Sequence, residues 1–202
     1  MRISEERYTR DRRALDVALR LIDFEARTGT IRALTGLADG QIRSLTRDST
    51  RDGANGNCRR HRGKAPTHAK HILGKARSRN EAATLLGLCQ LMGVTPEDAR
   101  EPHPGTNRVL RAERLCDVYW TFSTLLPSAT LSFEHFLLLL TEVEKSVEMT
   151  STHCRSCNAV QIVDLLSLRA TRCPHCAEHA PYRRFDDERQ YANVAEESAA
   201  YN

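Results

Sequence analysis

Aromatic residues and long apolar runs are scarce in this sequence. Phenylalanine, tryptophan and tyrosine together make up 5% of its 202 residues. The strongly apolar run that includes Leu137 to Leu140 is far shorter than the roughly 20 residues that cross a bilayer as a helix. The first residues, Met1 to Arg7, contain no apolar h-region and do not resemble a signal peptide. We therefore expect a soluble cytoplasmic protein with no membrane partner.

Patterns typical of enzymes are also absent. No His-x-Glu motif accompanies the paired cysteines, and no acidic cluster has the spacing of a catalytic metal site. The Cys-x-x-Cys pairs are not surrounded by the strand–helix–strand pattern of thiol redox proteins. We therefore expect a binding protein and no enzymatic activity, with a nucleic-acid enzyme as a rival interpretation.

Acidic residues are unevenly distributed. Residues 1–80 carry 19 lysines and arginines against 9 acidic residues, whereas residues 81–202 carry 11 against 17. Residues 51–79 contain nine basic residues and a single acidic one, Asp52. Lysine and arginine bind phosphates and release counterions, so this segment is a candidate polyanion-binding surface; a solvated basic loop is the alternative. The segment and its flank also hold four possible metal ligands in a non-standard spacing: Cys58, His61, His68 and His71.

The most specific motif consists of four thiols in two Cys-x-x-Cys pairs, separated by fifteen residues: Cys154, Cys157, Cys173 and Cys176. This spacing is typical of a tetrahedral zinc site, and four thiolates leave no open coordination position. We therefore expect one structural zinc ion that holds the fold. Two disulfides are the alternative, but they would require an oxidising compartment. His153 and His175 flank the thiols and could replace one of them as a ligand.

A helix-turn-helix-like segment is predicted near the N-terminus. Residues 30–47 read as two short helices around a turn at Gly36, with Asp39 capping the second. Arg32 and Thr35 depart from the usual template, so an ordinary helical corner is the alternative. In a helix-turn-helix the second helix lies in the major groove, and its outward residues are candidate DNA contacts: Gln41, Arg43, Ser44 and Arg47. The basic stretch adds further candidate DNA contacts: Arg59, Arg60, Arg62 and Lys64.

Hydrophobic periodicity predicts helices along most of the remaining chain. The first runs from about Ser4 to Arg27, ends before Gly29, and presents one apolar face: Leu15, Ala18, Leu19, Ile22 and Ala26. Later helices begin at Asn80, Thr95, Asn107 and Ser132, and the last of them places Val147 inward. Short strands are expected at Val160–Leu165 and Leu168–Thr171.

The sequence is therefore expected to be mainly α. A helical domain with the helix-turn-helix-like segment and basic loop would cover residues 1–149. A small C-terminal zinc-held module with short strands would follow at 150–181, and a flexible tail at 182–202.

The segments above are similar to those of the FlhC family of flagellar transcriptional activator subunits. The similarity rests on the following residues: Ala26-Arg27, Ile31, Ala33, Thr35-Gly36-Leu37, Ile42, Leu45 and Arg47-Asp48. Arg62-Gly63 with Pro66 resembles a further family segment, in which Thr67 replaces the second proline, as in a divergent member. The four paired cysteines stand where the family places its zinc ligands.

This resemblance implies a function in transcription. It implies binding to double-stranded DNA upstream of flagellar or related genes, in a heteromer with an FlhD-like subunit. It also implies activation through contact with RNA polymerase, with zinc as the bound metal. A different reading of the same sequence is a zinc-containing protein–protein adaptor that does not bind DNA directly.

Overall fold

The computed structural model describes residues 5–51, 64–68, 70–94, 107–167, 173 and 175–176. The described part is mainly helical, as the sequence predicts, and seven helices precede a two-stranded antiparallel sheet. In chain order the elements are α1 Glu5–Asp23, α2 Thr28–Thr35, α3 Asp39–Arg51, α4 Lys70–Leu73, α5 Ala76–Met92, α6 Arg108–Leu125, α7 Phe133–Lys145, β1 Met149–His153 and β2 Val160–Asp164. The predicted helix at Thr95, the second predicted strand and the tail at 182–202 lie outside the described residues.

Helix α1 ends earlier than the sequence predicts. Glu25 takes a left-handed conformation, with φ of 56°. The Ala26 N–H donates to the Leu21 carbonyl at 2.9 Å, and the Glu25 N–H donates to the Ile22 carbonyl at 2.9 Å. This is the Schellman arrangement, in which glycine is the usual left-handed residue. Because glutamate occupies that position, the sequence pointed instead to Gly29, which lies inside α2.

The buried face of α1 is rotated relative to the predicted face. Leu15 and Leu19 were expected in the core but are 37% and 40% exposed. The buried side chains follow the i, i+3, i+4, i+7 pattern of one helix face: Ala14, Val17, Ala18, Leu21 and Ile22. This face is wider than the predicted one and continuous along the helix. It is the face that packs against α2, α3 and α6.

The turn between α2 and α3 is confirmed at Gly36. Its φ is 79°, and its N–H donates to the Arg32 carbonyl at 2.9 Å. Thr35 is buried at a position that usually holds an apolar residue. Its hydroxyl donates to the Ile31 carbonyl at 2.7 Å and accepts the Leu37 N–H at 3.2 Å, so both hydrogen-bonding roles are filled. Ile31 and Ile42 close the small core between the two helices.

A buried carboxylate from a distant part of the sequence caps α2. Arg27 is the N-cap residue of α2 but makes no side-chain cap. Glu134 in the first turn of α7 instead accepts the Arg27 N–H at 2.9 Å and the Thr30 hydroxyl at 3.0 Å. A negative charge at a helix N-terminus is stabilised by the helix dipole. Residues about a hundred positions apart in sequence are thereby joined.

The aromatic residues are concentrated in one cluster at the centre of the core. It contains four of the five phenylalanines and one tyrosine: Phe24, Tyr119, Phe122, Phe133 and Phe136. The rings of Phe24 and Tyr119 meet edge to face with centroids 5.0 Å apart. The Tyr119 hydroxyl donates to the Leu131 carbonyl at 3.0 Å, and burial raises the pKa of Tyr119 to about 12.

Helices α6 and α7 begin where the sequence predicts, and both have side-chain N-caps. The Asn107 side chain accepts the Leu110 N–H, and Ser132 forms a reciprocal capping box with His135. Helix α5 begins at Ala76, four residues before the predicted start at Asn80, and ends at Gly93 as expected. The prediction that Val147 points inward is wrong, since α7 ends at Lys145 and Val147 is 65% exposed.

The β-hairpin packs on the helices. Strands β1 and β2 pair in a register that sets Met149 opposite Asp164 and His153 opposite Val160. Met149 and Ile162 are buried in the same core as the helices, and the strands contact α5 and α7. The sequence predicted β2 but not β1. The predicted domain boundary after residue 149 stays a prediction. The hydrophobic core contains residues from both sides of this boundary.

Alanine substitutions at Gly36 and Gly29 should separate the strain of the left-handed turn from the effect of helix propensity. An alanine at Gly36 would have to adopt φ near 79°, and its Cβ would lie 3.0 Å from the Arg108 guanidinium. We expect Gly36→Ala to lower the free energy of unfolding by about 1–2 kcal/mol, measured by urea denaturation. Gly29→Ala is the matched control, because nothing lies within 4 Å of its Cβ position. Equal stability of the two variants would contradict the assigned turn.

The contact between Glu81 and the loop before α7 should make the free energy of unfolding depend on pH. Glu81 is 5% exposed and accepts hydrogen bonds from the Thr130 N–H and hydroxyl, both at 2.8 Å, and from the Leu131 N–H at 3.1 Å. Burial alone would raise the pKa of Glu81, but bonds from Thr130, Arg77 and Leu131 hold it below 4.5. A depressed folded-state pKa contributes stability that is present above pH 4.5 and is lost as pH falls through the folded value.

We expect Glu81→Gln to lower the free energy of unfolding at neutral pH by about 1–3 kcal/mol, because buried donors lose a charged acceptor. The difference from the wild type should shrink below pH 4.5. Chemical denaturation across a pH series measures this, with the exposed Asp16→Asn as control. A difference that stays constant through the acid range would show that the carboxylate charge is not the stabilising group.

Candidate metal centre

The first cysteine pair lies in the turn of the β-hairpin. Strand β1 ends at His153, and the chain turns through Cys154–Cys157 before β2 begins at Val160. The Cys154 N–H donates to the Ala159 carbonyl at 2.9 Å, and the Asn158 N–H donates to the Cys154 carbonyl at 2.9 Å. Asn158 has φ of 58°, a conformation that asparagine tolerates better than most residues. The paired strands therefore fix the position of the first two sulfurs.

The second cysteine pair faces the first. The Cys154 and Cys176 sulfurs lie 3.7 Å apart, as do those of Cys157 and Cys173. All four sulfurs lie within 4.8 Å of one another. A tetrahedron with metal–sulfur bonds of about 2.3 Å has sulfur–sulfur edges of about 3.8 Å. The four thiols are free rather than paired in disulfides, and together they can hold a metal ion.

The electrostatics of the cluster favour a bound cation. Hydrogen bonds from the Cys157 and Ser156 backbone lower the pKa of Cys154 to about 6. Contacts with the Cys157 and Cys154 sulfurs raise the pKa of Cys176 to about 12. Burial is the main cause that raises the pKa of Cys173. One thiolate thus forms easily and opposes ionisation of its neighbours, whereas a cation would remove that repulsion and release protons.

The neighbouring histidines lie outside the sulfur cluster. His153 and His175 are exposed, and the cluster in the described part of the chain consists of cysteines alone. This arrangement favours four thiols over a mixed cysteine–histidine set. Of the second, non-standard ligand set, His68 and His71 are exposed, while Cys58 and His61 lie outside the described residues.

The remaining described cysteines lie in the hydrophobic core. Cys89 and Cys116 are both buried, on α5 and α6. Burial raises the pKa of Cys116 to about 12, so its thiol stays protonated at neutral pH. Both residues act as packing groups.

Helix α3 presents all four of its candidate DNA-contacting side chains to solvent. Gln41, Arg43, Ser44 and Arg47 are exposed, while Ile42 between them is 1% exposed and anchors the helix. The Gln41 carbonyl oxygen accepts the Ala38 N–H at 3.0 Å and so also caps α3. Of the candidates in the basic stretch, Lys64 is exposed, and the other three lie outside the described residues: Arg59, Arg60 and Arg62.

One basic residue beside this segment was not predicted. The Arg108 guanidinium at the start of α6 lies 3.0 Å from the Cβ position of Gly36. It therefore adds a positive charge next to the turn between α2 and α3. The two residues are far apart in sequence, and no local motif connects them, so only the packing of α2 on α6 reveals this neighbour.

The described residues thus define a mainly helical protein with a four-cysteine cluster that can hold a metal ion. No helix among them is both long and apolar enough to cross a membrane. Comparison with protein-family models found no match, and comparison with curated proteins found none either.

Loss of one cysteine should release the metal. We expect Cys157→Ser to reduce the metal content from about one ion per chain to near zero, because three thiolates complete no tetrahedral structural site. The segment around Cys173 and Cys176 should also lose its fixed position, and the melting temperature should fall, since metal binding contributes directly to folding. Metal analysis and thermal melting measure the two effects. Cys89→Ala is the control and should keep its metal; unchanged metal content in Cys157→Ser would show that these thiols are not the ligands.

Proposed function

We propose that this chain is a DNA-binding subunit of a transcription activator, similar to FlhC, that acts with an FlhD-like partner on flagellar or related promoters. The observation that supports this most directly is the exposed face of α3 after the left-handed turn at Gly36. The chain acts by binding and recruitment, including contact with RNA polymerase, and not by bond chemistry.

The chemistry of the α3 face suits a DNA groove. Arginine can bond guanine through two atoms, glutamine can do the same with adenine, and serine can hold a phosphate. Arg43 and Arg47 stand one turn apart, so they project from the same side of the helix. Because Ile42 is buried against the core, the helix has a fixed orientation and presents these groups as a rigid surface.

The charges around this face are favourable for a polyanion. Asp39 lies 3.4 Å from the Arg32 guanidinium, and Asp48 accepts a hydrogen bond from Ser44 at 3.4 Å. Asp39 is thus paired with a cation and Asp48 keeps its charge, but the exposed Arg43 and Arg47 together with Arg32 outnumber the two carboxylates. Arg108 at the neighbouring turn adds a further positive charge. Lys64 and the basic residues before it would extend the surface along the DNA backbone.

The cysteine cluster has a structural role in this proposal. Four sulfurs around one zinc ion leave no position open for a substrate. The hairpin that carries Cys154 and Cys157 is anchored by Met149 and Ile162 in the helical core. A zinc ion would therefore tie the segment around Cys173 and Cys176 to that core.

Exposed apolar side chains support a protein partner. Leu110, Trp120 and Leu125 on α6 are 42%, 58% and 61% exposed, and Trp120 is the single tryptophan. Exposed large apolar groups on one helix are typical of protein interfaces. The same observation favours the second candidate function, a zinc-containing adaptor that binds proteins and not DNA.

Replacing the two α3 arginines should weaken DNA binding. We expect the zinc-loaded double variant Arg43→Ala and Arg47→Ala to bind random duplex DNA more weakly than the wild type. The slope of log affinity against log salt should fall by about one for each lost phosphate contact. Fluorescence anisotropy at salt concentrations from about 50 to 200 mM measures both quantities.

The control is the double variant Arg12→Ala and Arg13→Ala, which removes the same charge from the exposed surface of α1. An equal loss in both variants would mean that total charge, and not α3, governs binding. Absence of duplex binding by the wild type at low salt, together with retained binding to a protein partner, would favour the adaptor.

A further inference from the structure

A polar cavity lies at the start of α5, away from both the cysteine cluster and the α3 face. Its volume is about 380 Å³, within the range of small-ligand pockets. It lies between the N-terminal end of α5 and the segment that leads into α7, and its lining is mostly polar: His71, Gly74, Lys75, Ser78, Thr130, Leu131 and His135.

Ser78 is the first residue that indicates a ligand in this cavity. It is 6% exposed, and its hydroxyl makes no hydrogen bond within the described part of the chain. A hydroxyl of a largely buried residue that has no partner in the protein bonds to water or to a ligand instead. Because Ser78 lines the cavity, the group that satisfies it would occupy the cavity.

The first backbone N–H groups of α5, at the cavity, also lack hydrogen-bond acceptors. The first hydrogen bond inside α5 runs from the Arg79 N–H to the Lys75 carbonyl at 3.1 Å. The N–H groups of Ala76, Arg77 and Ser78 therefore have no acceptor within the helix. Lys75 is the N-cap residue and provides no side-chain acceptor, and the first turn contains no acidic residue. Seventeen aligned residues place the positive end of a helix dipole at the cavity.

The charges near the cavity select an anion over a cation. Lys75, Arg77 and Arg79 lie in the first turns of α5 and oppose one carboxylate, Glu81. That carboxylate is already bonded to Arg77 at 2.9 Å and to Thr130 and Leu131. The His71 and His135 rings lie 6.2 Å apart and can donate N–H groups. The His135 Nδ1 accepts the Ser132 N–H at 3.2 Å, which places the proton of the neutral ring on Nε2.

We propose that this cavity binds a small phosphate-bearing anion. Its oxygens accept from the Ser78 hydroxyl and the N-terminal amides of α5, while Lys75 neutralises its charge. This is the arrangement by which helix N-termini bind phosphate groups in general. The site uses residues that the DNA-binding proposal does not, so the two proposals are independent.

The test is titration calorimetry of the zinc-loaded full chain in phosphate-free buffer. Inorganic phosphate is the first probe and methyl phosphate the second, which distinguishes free phosphate from a phosphate monoester. We expect saturable binding of at least one probe. Ser78→Ala and Lys75→Gln should each weaken it by about tenfold or more, because each removes a donor to a charged group. Arg12→Gln, which removes an exposed charge from α1, should leave it unchanged.

Each result decides the proposal. Binding that both cavity variants weaken and the α1 variant does not would support it. No saturable binding of either probe up to about 10 mM, a concentration that would reveal even millimolar affinity, would overturn it. Binding equal in all variants would place the anion elsewhere and overturn it as well. If the cavity variants instead lose only duplex DNA, the cavity belongs to a nucleic-acid surface and the small-ligand proposal is wrong; loss of DNA binding in the α3 variant alone leaves it intact.

Discussion

Buried carboxylates that accept hydrogen bonds from distant segments hold this helical protein together. Glu134 joins α7 to the start of α2, and Glu81 joins α5 to the segment at Thr130 and Leu131. A buried carboxylate without partners would be strongly unfavourable, so each one stabilises only the arrangement that satisfies it. The two contacts thus specify how α2, α5 and α7 meet. The aromatic cluster around Tyr119 fills the space between the elements that these contacts position.

The cysteine cluster depends on that helical core. Two of its thiols are carried by a two-stranded hairpin, and an isolated hairpin is only marginally stable in water. Met149 and Ile162 supply the missing burial by packing into the helical core. The metal-binding geometry and the core therefore support each other: the core positions the first pair of sulfurs, and a bound ion would position the second pair.

Two groups of basic residues from residues 1–80 lie apart in the described structure. One group surrounds the turn at Gly36, where α3 presents Arg43 and Arg47. The other lies at the start of α5, where Lys75 and Ser78 line the same cavity. Composition alone indicated one polyanion-binding segment. The fold separates the exposed α3 face, for which we propose DNA binding, from the cavity at the start of α5, for which we propose a small anion.

Features that depend on neighbouring residues were determined by the sequence itself. The spacing of the four cysteines predicted their cluster, and the helix starts at Asn107 and Ser132 and the turn at Gly36 were predicted correctly. In each case a side chain or a glycine acts on backbone groups within a few residues, so local sequence is sufficient.

Contacts between distant segments were decided only by the tertiary structure. Glutamate replaces glycine at the end of α1, and Leu15 and Leu19 lie at the surface because the neighbouring face packs better. The cap from Glu134 and the approach of Arg108 to Gly36 likewise join residues with no sequence signal in common. Such contacts arise when helices dock, and periodicity within one helix does not specify which face or partner that docking selects.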